Sequence, residues 1–283
     1  IITWIKRGID PKNPTIIPEY KVFKGISPAL AGRILGFLDG SRLTMATILS
    51  LLVHGAATIS QKGKKEYIIA KGGNKPGKEL EELAYNKLFA EGRNSVSTKE
   101  DETVLGELST EICKHIRKKY DGYYYEHNYL LLSSTIFLFL GLFFFIATLD
   151  NMHDMSLIPF LASFIVLIWY ACVIGRYTMS GIKMRAKMEG LKMYIKTAEE
   201  LRMRDLTPEH FEELLPYAMA FDLENKWCKK FEKALAECNY EQQWYTYTAA
   251  NYAYASLLSD GGMKSLVNGI SGSTQHTISS YAS

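Results

Sequence analysis

The sequence predicts a mainly α membrane protein. A two-helix transmembrane hairpin carries a helical cytoplasmic body, and that body contains a small winged-helix-like α+β module. Three observations predict it. Residues 129–149 and 155–175 are long apolar runs without one Asp, Glu, Lys or Arg. Lys and Arg crowd both outer flanks and are missing from the connecting loop 150–154. Elsewhere, apolar residues recur at helical spacing behind recognisable caps.

Each apolar run is long enough to cross a hydrocarbon core of about 30 Å as a helix. Cytoplasmic flanks of membrane helices are enriched in Lys and Arg. Lys114, Arg117, Lys118 and Lys119 precede the first run, and Arg176, Lys183, Arg185 and Lys187 follow the second. The loop offers Asp150, His153 and Asp154 instead. Both flanks are therefore expected in the cytoplasm and the loop outside. Tyr124, Tyr125, Tyr129, Trp169 and Arg176 are the expected membrane-interface residues, since amphipathic rings favour that zone. A soluble protein's buried helical hairpin would not need the basic asymmetry.

The 283 residues leave room for one or two modest domains beside the hairpin. A net charge of +3 lacks the strong basic footprint of a nucleic-acid binder. The mean hydropathy of −0.07 reflects dilution of the apolar runs by polar flanks. Cys113, Cys172, Cys228 and Cys238 form no CxxC pair, and reduced thiols are expected on the cytoplasmic side.

Residues 1–24 read as the cytoplasmic end of an earlier membrane helix, Ile1-Ile2-Thr3-Trp4-Ile5 before Lys6-Arg7, followed by an extended linker. With no initiator Met and no signal-peptide pattern, a larger parent protein is expected. Residues 25–110 are the winged-helix-like module. Ser27-Pro28 opens a helix running to about Leu38. A second helix spans about 42–54 and stops at Gly55. Strand, tight turn and strand cover 57–60, 61–65 and 66–70. Helices follow at about 79–90 and 102–119, so residues 111–128 form a basic and aromatic juxtamembrane helix.

Residues 176–245 form a helical cytoplasmic domain. A helix is expected over 183–203, another starts at Thr207-Pro208, and Pro216 should break or restart it. Leu223, Trp227, Phe231 and Leu235 then make one apolar stripe, read either as packing within the domain or as a partner surface. Trp227, Phe231, Trp244 and Tyr245 are the partner-contact candidates, because large aromatics dominate interface energetics. Residues 246–283 form an aromatic, then Gly/Ser-rich tail, expected to be disordered or to order on a partner.

No catalytic or metal constellation and no cofactor site is readable. Gly72-Gly73-Asn74-Lys75-Pro76-Gly77-Lys78 has the G-x-x-x-x-G-K spacing of a phosphate loop, but Glu79 stands where Ser or Thr must hold the metal. The second helix of the module would be the DNA reader, yet it is mostly apolar and offers Arg42 as its one Arg. Lys62, Lys64 and Lys65 are a modest basic patch. No His pair has helical metal spacing, and no ionisable group lies in either apolar run, where transport usually needs one.

Three stretches resemble one family. They are Ile9-Asp10-Pro11 with residues 15–20 (Thr-Ile-Ile-Pro-Glu-Tyr) and 25–29 (Gly-Ile-Ser-Pro-Ala), residues 190–199 (Gly-Leu-Lys-Met-Tyr-Ile-Lys-Thr-Ala-Glu), and residues 211–218 (Phe-Glu-Glu-Leu-Leu-Pro-Tyr-Ala) followed by Trp227 and residues 229–232 (Lys-Lys-Phe-Glu). Together they resemble the YciQ-like family of predicted bacterial membrane proteins over about residues 8–245. The resemblance implies the C-terminal part of such a protein, a bacterial plasma (inner) membrane location, no established activity, and a LemA-like membrane protein as candidate partner. Many members end in a long Gly-rich tail, and this chain's Ser/Gly/Thr tail departs from that.

The first functional expectation is a non-enzymatic, membrane-anchored interaction or scaffold module, in contact with the lipid bilayer and with protein partners or copies of itself. The alternative is a membrane-tethered winged-helix DNA-binding regulator. A nucleotide-dependent enzyme using the 72–78 loop stands third.

Overall fold

Ser27 caps the first helix, as expected. Its hydroxyl accepts from Leu30 N–H at 3.3 Å and Pro28 follows, so α1 runs Pro28–Ile34. It ends short of Leu38. Asp39 caps α2, Gly40–Val53, accepting from Ser41 N–H at 3.0 Å. The computed structural model describes residues 14–23, 25–63, 66–126, 136, 139, 176–197, 208–237 and 245–247. The apolar runs 129–149 and 155–175 and the loop 150–154 lie outside them, apart from Ile136 and Phe139, both helical. Among the described residues, no helix is long and apolar enough to cross a membrane.

After α2 the chain forms β1, Ala57–Gly63, and β2, Glu66–Lys71, then α3, Glu79–Leu88. A short strand β3, Ser95–Ser97, precedes α4, Glu102–Tyr120. Strand β4, Tyr125–Glu126, precedes the first apolar run and pairs with β5, Arg176–Tyr177, which follows the second; α5, Met179–Thr197, comes next. Helices α6, Pro208–Ala220, and α7, Glu224–Glu237, follow, with β6, Tyr245–Tyr247, after them.

The chain divides into two units. One comprises Thr15–Lys118 and Arg185–Ser283, the other Ile1–Pro14 and Lys119–Met184. In the larger unit the sheet order is β3-β2-β1-β6, antiparallel except for β6, which runs parallel to β1. The period-2 alternation of strands puts Ile59, Ile69 and Val96 side by side across β1, β2 and β3, each at most 1% exposed. Helix α2 packs on α1, α3 and α6. Gly32 of α1 permits that close crossing, because a Cβ there would lie 2.9 Å from Leu43 and 3.0 Å from the Ala220 carbonyl.

Two sequence expectations are corrected. Pro216 does not break its helix; α6 runs through it. A mid-helix proline costs about 3 kcal/mol locally, and here burial decides, with Leu214, Leu215, Tyr217 and Ala218 all at most 1% exposed. Strands β3, β4, β5 and β6 were not expected, being only two or three residues long.

Candidate functional site

Helix α4 ends at Tyr120, and the chain turns sharply before the first apolar run. Gly122 adopts φ +89°, a conformation glycine takes without steric cost, and its N–H donates to the Tyr125 carbonyl at 2.8 Å. Tyr124 N–H donates back to Tyr120 at 3.0 Å. Strand β4 then pairs antiparallel with β5, Tyr125 opposite Tyr177 and Glu126 opposite Arg176. The chain segment 127–175 thus leaves and returns through one two-stranded neck.

Thr178 fastens this neck. Its hydroxyl donates to the Tyr123 carbonyl at 2.7 Å and accepts from Gly181 N–H at 2.9 Å, so one side chain caps α5 and ties it to the β4 side. Thr178 N–H donates to the Tyr124 carbonyl at 3.1 Å. Gly181 lies so close to that carbonyl that a Cβ would collide with it. Tyrosine rings surround the pairing. Tyr120 and Tyr125 stack at 6.0 Å, Tyr123 meets Tyr124 edge-on at 4.7 Å, and Tyr125 meets Tyr177 edge-on at 5.3 Å. Burial, with a smaller effect from neighbouring Tyr123, raises the Tyr124 phenol above its ordinary value. Of the expected interface residues, the neck brings together Tyr124, Tyr125 and Arg176. Tyr129 and Trp169 lie outside the described residues. Sequence reading missed Thr178 and Gly181, although a Thr one residue before a helix is a recognisable N-cap signal.

A second polar cluster lies within the larger unit. Glu81 of α3 is 1% exposed. Its Oε1 accepts from Ser50 at 2.6 Å and pairs with His54 Nδ1 at 3.0 Å. Its Oε2 accepts from the backbone N–H groups of Gly77 and Lys78 at 3.1 and 3.2 Å. Burial pushes this carboxyl up, and the His54 and Ser50 bonds outweigh it, leaving the group below its ordinary value. Two of the backbone donors at the 72–78 loop, those of Gly77 and Lys78, are thus occupied by the protein's own carboxylate. Lys78 stands over the Tyr217 ring at 5.6 Å, and burial lowers its ammonium pKa against the opposing pull of Glu81 and Glu213.

The DNA-reading expectation meets a steric obstacle. On α2, Ser41 and every residue from Leu43 to Leu52 are buried, so this helix has no free face for a groove. Arg42 is engaged internally, with Asp222 at 2.7 Å, Glu224 at 3.1 Å and the Met219 carbonyl at 3.2 Å. Lys62 pairs with Glu66 and Glu100 at 3.3 and 3.4 Å; Lys64 and Lys65 lie outside the described residues. An open groove of about 700 Å³ between α3 and α4 is crossed by the Lys87–Glu107 and His115–Glu79 pairs, each at 2.8 Å.

Trp227, a partner-contact candidate, is fully buried; it stacks on Phe211 at 6.1 Å and donates from Nε1 to the Phe211 carbonyl at 3.2 Å. This corrects the partner-contact reading of Trp227: of the two readings of the stripe, packing within the domain applies there, with the indole against Phe211 of α6 and Tyr194 of α5. Phe231 is in α7 and Tyr245 in β6 opposite Ile59, while Trp244 lies outside the described residues. Among the described residues no group of His, Cys, Asp and Glu could hold a metal ion.

One family model matches residues 17–231; the family is described as the C-terminal domain of a predicted membrane protein (DUF2207). That span falls within the 8–245 over which the sequence resemblance was drawn. No curated protein matches the chain, and no solved structure matches it.

Proposed function

We propose that this chain, which belongs to the C-terminal domain family of predicted membrane proteins (DUF2207), is a membrane-anchored, non-enzymatic interaction module. Residues 129–149 and 155–175 are its transmembrane hairpin, in a bacterial inner membrane, with both flanks cytoplasmic. One observation carries the anchoring: Glu126 and Arg176, at the two ends of the segment 127–175, are direct partners across β4–β5. Opposed residues in such a pair sit about 4.5–5.5 Å apart at their Cα atoms. A hairpin crossing a bilayer twice returns to the side it left, and this pairing brings both ends of the segment to one place.

The non-enzymatic reading is supported by the Glu81 cluster. Its carboxylate already has four hydrogen-bonding partners, Ser50, His54, Gly77 and Lys78, which leaves it poorly placed to act as a base on a substrate. The winged-helix-like description of residues 25–110 rests on the order α1, α2, β1, β2, with α2 serving as the core of the domain. Interaction with partners, a LemA-like membrane protein or a second copy, falls to surfaces other than Trp227. The tail segment at β6 is the candidate, because it adds an extra strand to the sheet by main-chain pairing.

Fractionation of bacterial cells making the full chain tests the anchor. Retention in the membrane pellet through an alkaline carbonate wash is expected, with release only by detergent. Release by carbonate alone would contradict the hairpin.

A further inference from the structure

We propose that the neck binds anionic phospholipid headgroups. The proposal rests on the membrane reading above and specifies which lipid chemistry the anchor meets. Within the unit that contains the neck, Lys119 and Lys183 are both exposed. In the same unit Tyr123 is 62% exposed and Met179 58% exposed. Tyr123 meets Tyr124 edge-on yet keeps most of its surface exposed, as does Met179, in a unit whose Tyr124 and Tyr120 are 5% exposed.

This combination fits one chemical environment. Lysine ammonium groups attract lipid phosphates, and the negative cytoplasmic leaflet favours basic juxtamembrane residues. Tyrosine, with an apolar ring and a polar tip, settles at headgroup depth, and a thioether tolerates the acyl boundary. A soluble acidic partner would account for the lysines but not for Tyr123 and Met179. A neutral lipid surface would account for the apolar pair but not for the charge. Along the sequence, Lys114, Arg117 and Lys118 precede Lys119, and Arg185 and Lys187 follow Lys183, which extends the same sign on both sides of the neck. Asp121 and Glu126 are the acids of this stretch.

Native mass spectrometry of the full chain, extracted in mild detergent and offered equal phosphatidylglycerol and phosphatidylcholine, tests the proposal. Retention of phosphatidylglycerol is expected to exceed that of phosphatidylcholine. The double variant Lys119→Gln with Lys183→Gln should lose about fivefold of that preference per lysine, while Lys119→Arg with Lys183→Arg keeps it. Both positions are exposed, so circular dichroism should show an unchanged fold. Excess inorganic phosphate should leave the phosphatidylglycerol in place; complete displacement would mean that free phosphate, rather than a lipid, is the ligand, and would overturn the proposal. Equal retention of the two lipids, or an unchanged preference in the glutamine variant, would overturn the headgroup proposal alone. A chain that stays monodisperse in detergent-free buffer and retains neither lipid would overturn the membrane reading along with it.

Discussion

The Thr178 hydroxyl donates to the Tyr123 carbonyl at 2.7 Å, joining the start of α5 to the turn before the first apolar run. The same oxygen caps α5 through Gly181 N–H at 2.9 Å. This side chain adds to the β4–β5 pairing in joining two chain segments separated by both apolar runs. Thr178→Ala therefore loses a cap and a cross-strand tie, a cost of about 1–2 kcal/mol by the usual worth of a threonine cap. Thr178→Ser keeps both bonds. Hydrogen exchange at the Thr178 and Gly181 amides in detergent is the readout, with faster exchange expected in the alanine variant only.

Gly181→Ala places a Cβ against the Tyr124 carbonyl. The backbone must move apart there, so the β4–β5 pairing should be lost rather than weakened. A disulfide engineered at Tyr125→Cys with Tyr177→Cys, direct partners across the pair, reads this out. It should close readily in the parent and poorly with Gly181→Ala.

Two buried glutamates respond to acid with opposite sign. Glu81 has a depressed folded pKa, so its stabilisation is present above the unfolded value, about 4.3, and is lost as pH falls through the folded value. Glu224 has a raised folded pKa, because burial outweighs the nearby Arg42. Its contribution is present below the unfolded value and is lost as pH rises through the folded value. Glu81→Gln should flatten the acid limb of the stability profile. It should also cost about 1–3 kcal/mol at neutral pH by weakening the acceptor for four donors. Thermal unfolding from pH 3 to pH 7 checks both statements.

Arg42→Met leaves Glu224, 4% exposed, without its guanidinium partner at 3.1 Å. Removing one partner of a buried pair costs about 3–5 kcal/mol, less here because the Arg42 side chain is 21% exposed. The double variant Arg42→Met with Glu224→Leu should recover most of the loss. Denaturant unfolding of the four members of this cycle measures the coupling.

Trp227→Ala should cost about 3–5 kcal/mol, the range for emptying a large aromatic site in a core, because the indole is fully buried and bonded to the Phe211 carbonyl. Trp227→Phe should cost less, losing the hydrogen bond but keeping the stack. If Trp227→Ala left stability untouched and weakened only partner binding, the core placement would be wrong.

Local chemistry made most of the helical body legible. Ser27-Pro28, the Gly55 stop and the apolar periodicity of α4 announce their elements from residues close in sequence, and the structure places helices there. What escaped depended on distant partners. Strand β3 exists because Val96 meets Ile69 and Thr98 bonds Tyr67 N–H at 3.0 Å, neither of which leaves a local pattern. Pro216 was misread because its local cost is visible in sequence while the burial of its neighbours is not. At the neck, the tyrosines and basic flanks were legible, but the Glu126–Arg176 pairing was not, because its two residues are separated by the whole apolar segment. Trp227 shows the remaining ambiguity: an amphipathic stripe has the same sequence whether it faces a core or a partner.

The side on which residue 151 emerges tests the account most directly. In a variant with the four native cysteines replaced by serine, Asn151→Cys should react with a membrane-impermeant maleimide added to intact spheroplasts, while a cysteine at Lys183 should react only after lysis. Labelling of residue 151 only after lysis would contradict a hairpin that leaves the cytoplasm at Glu126 and returns at Arg176.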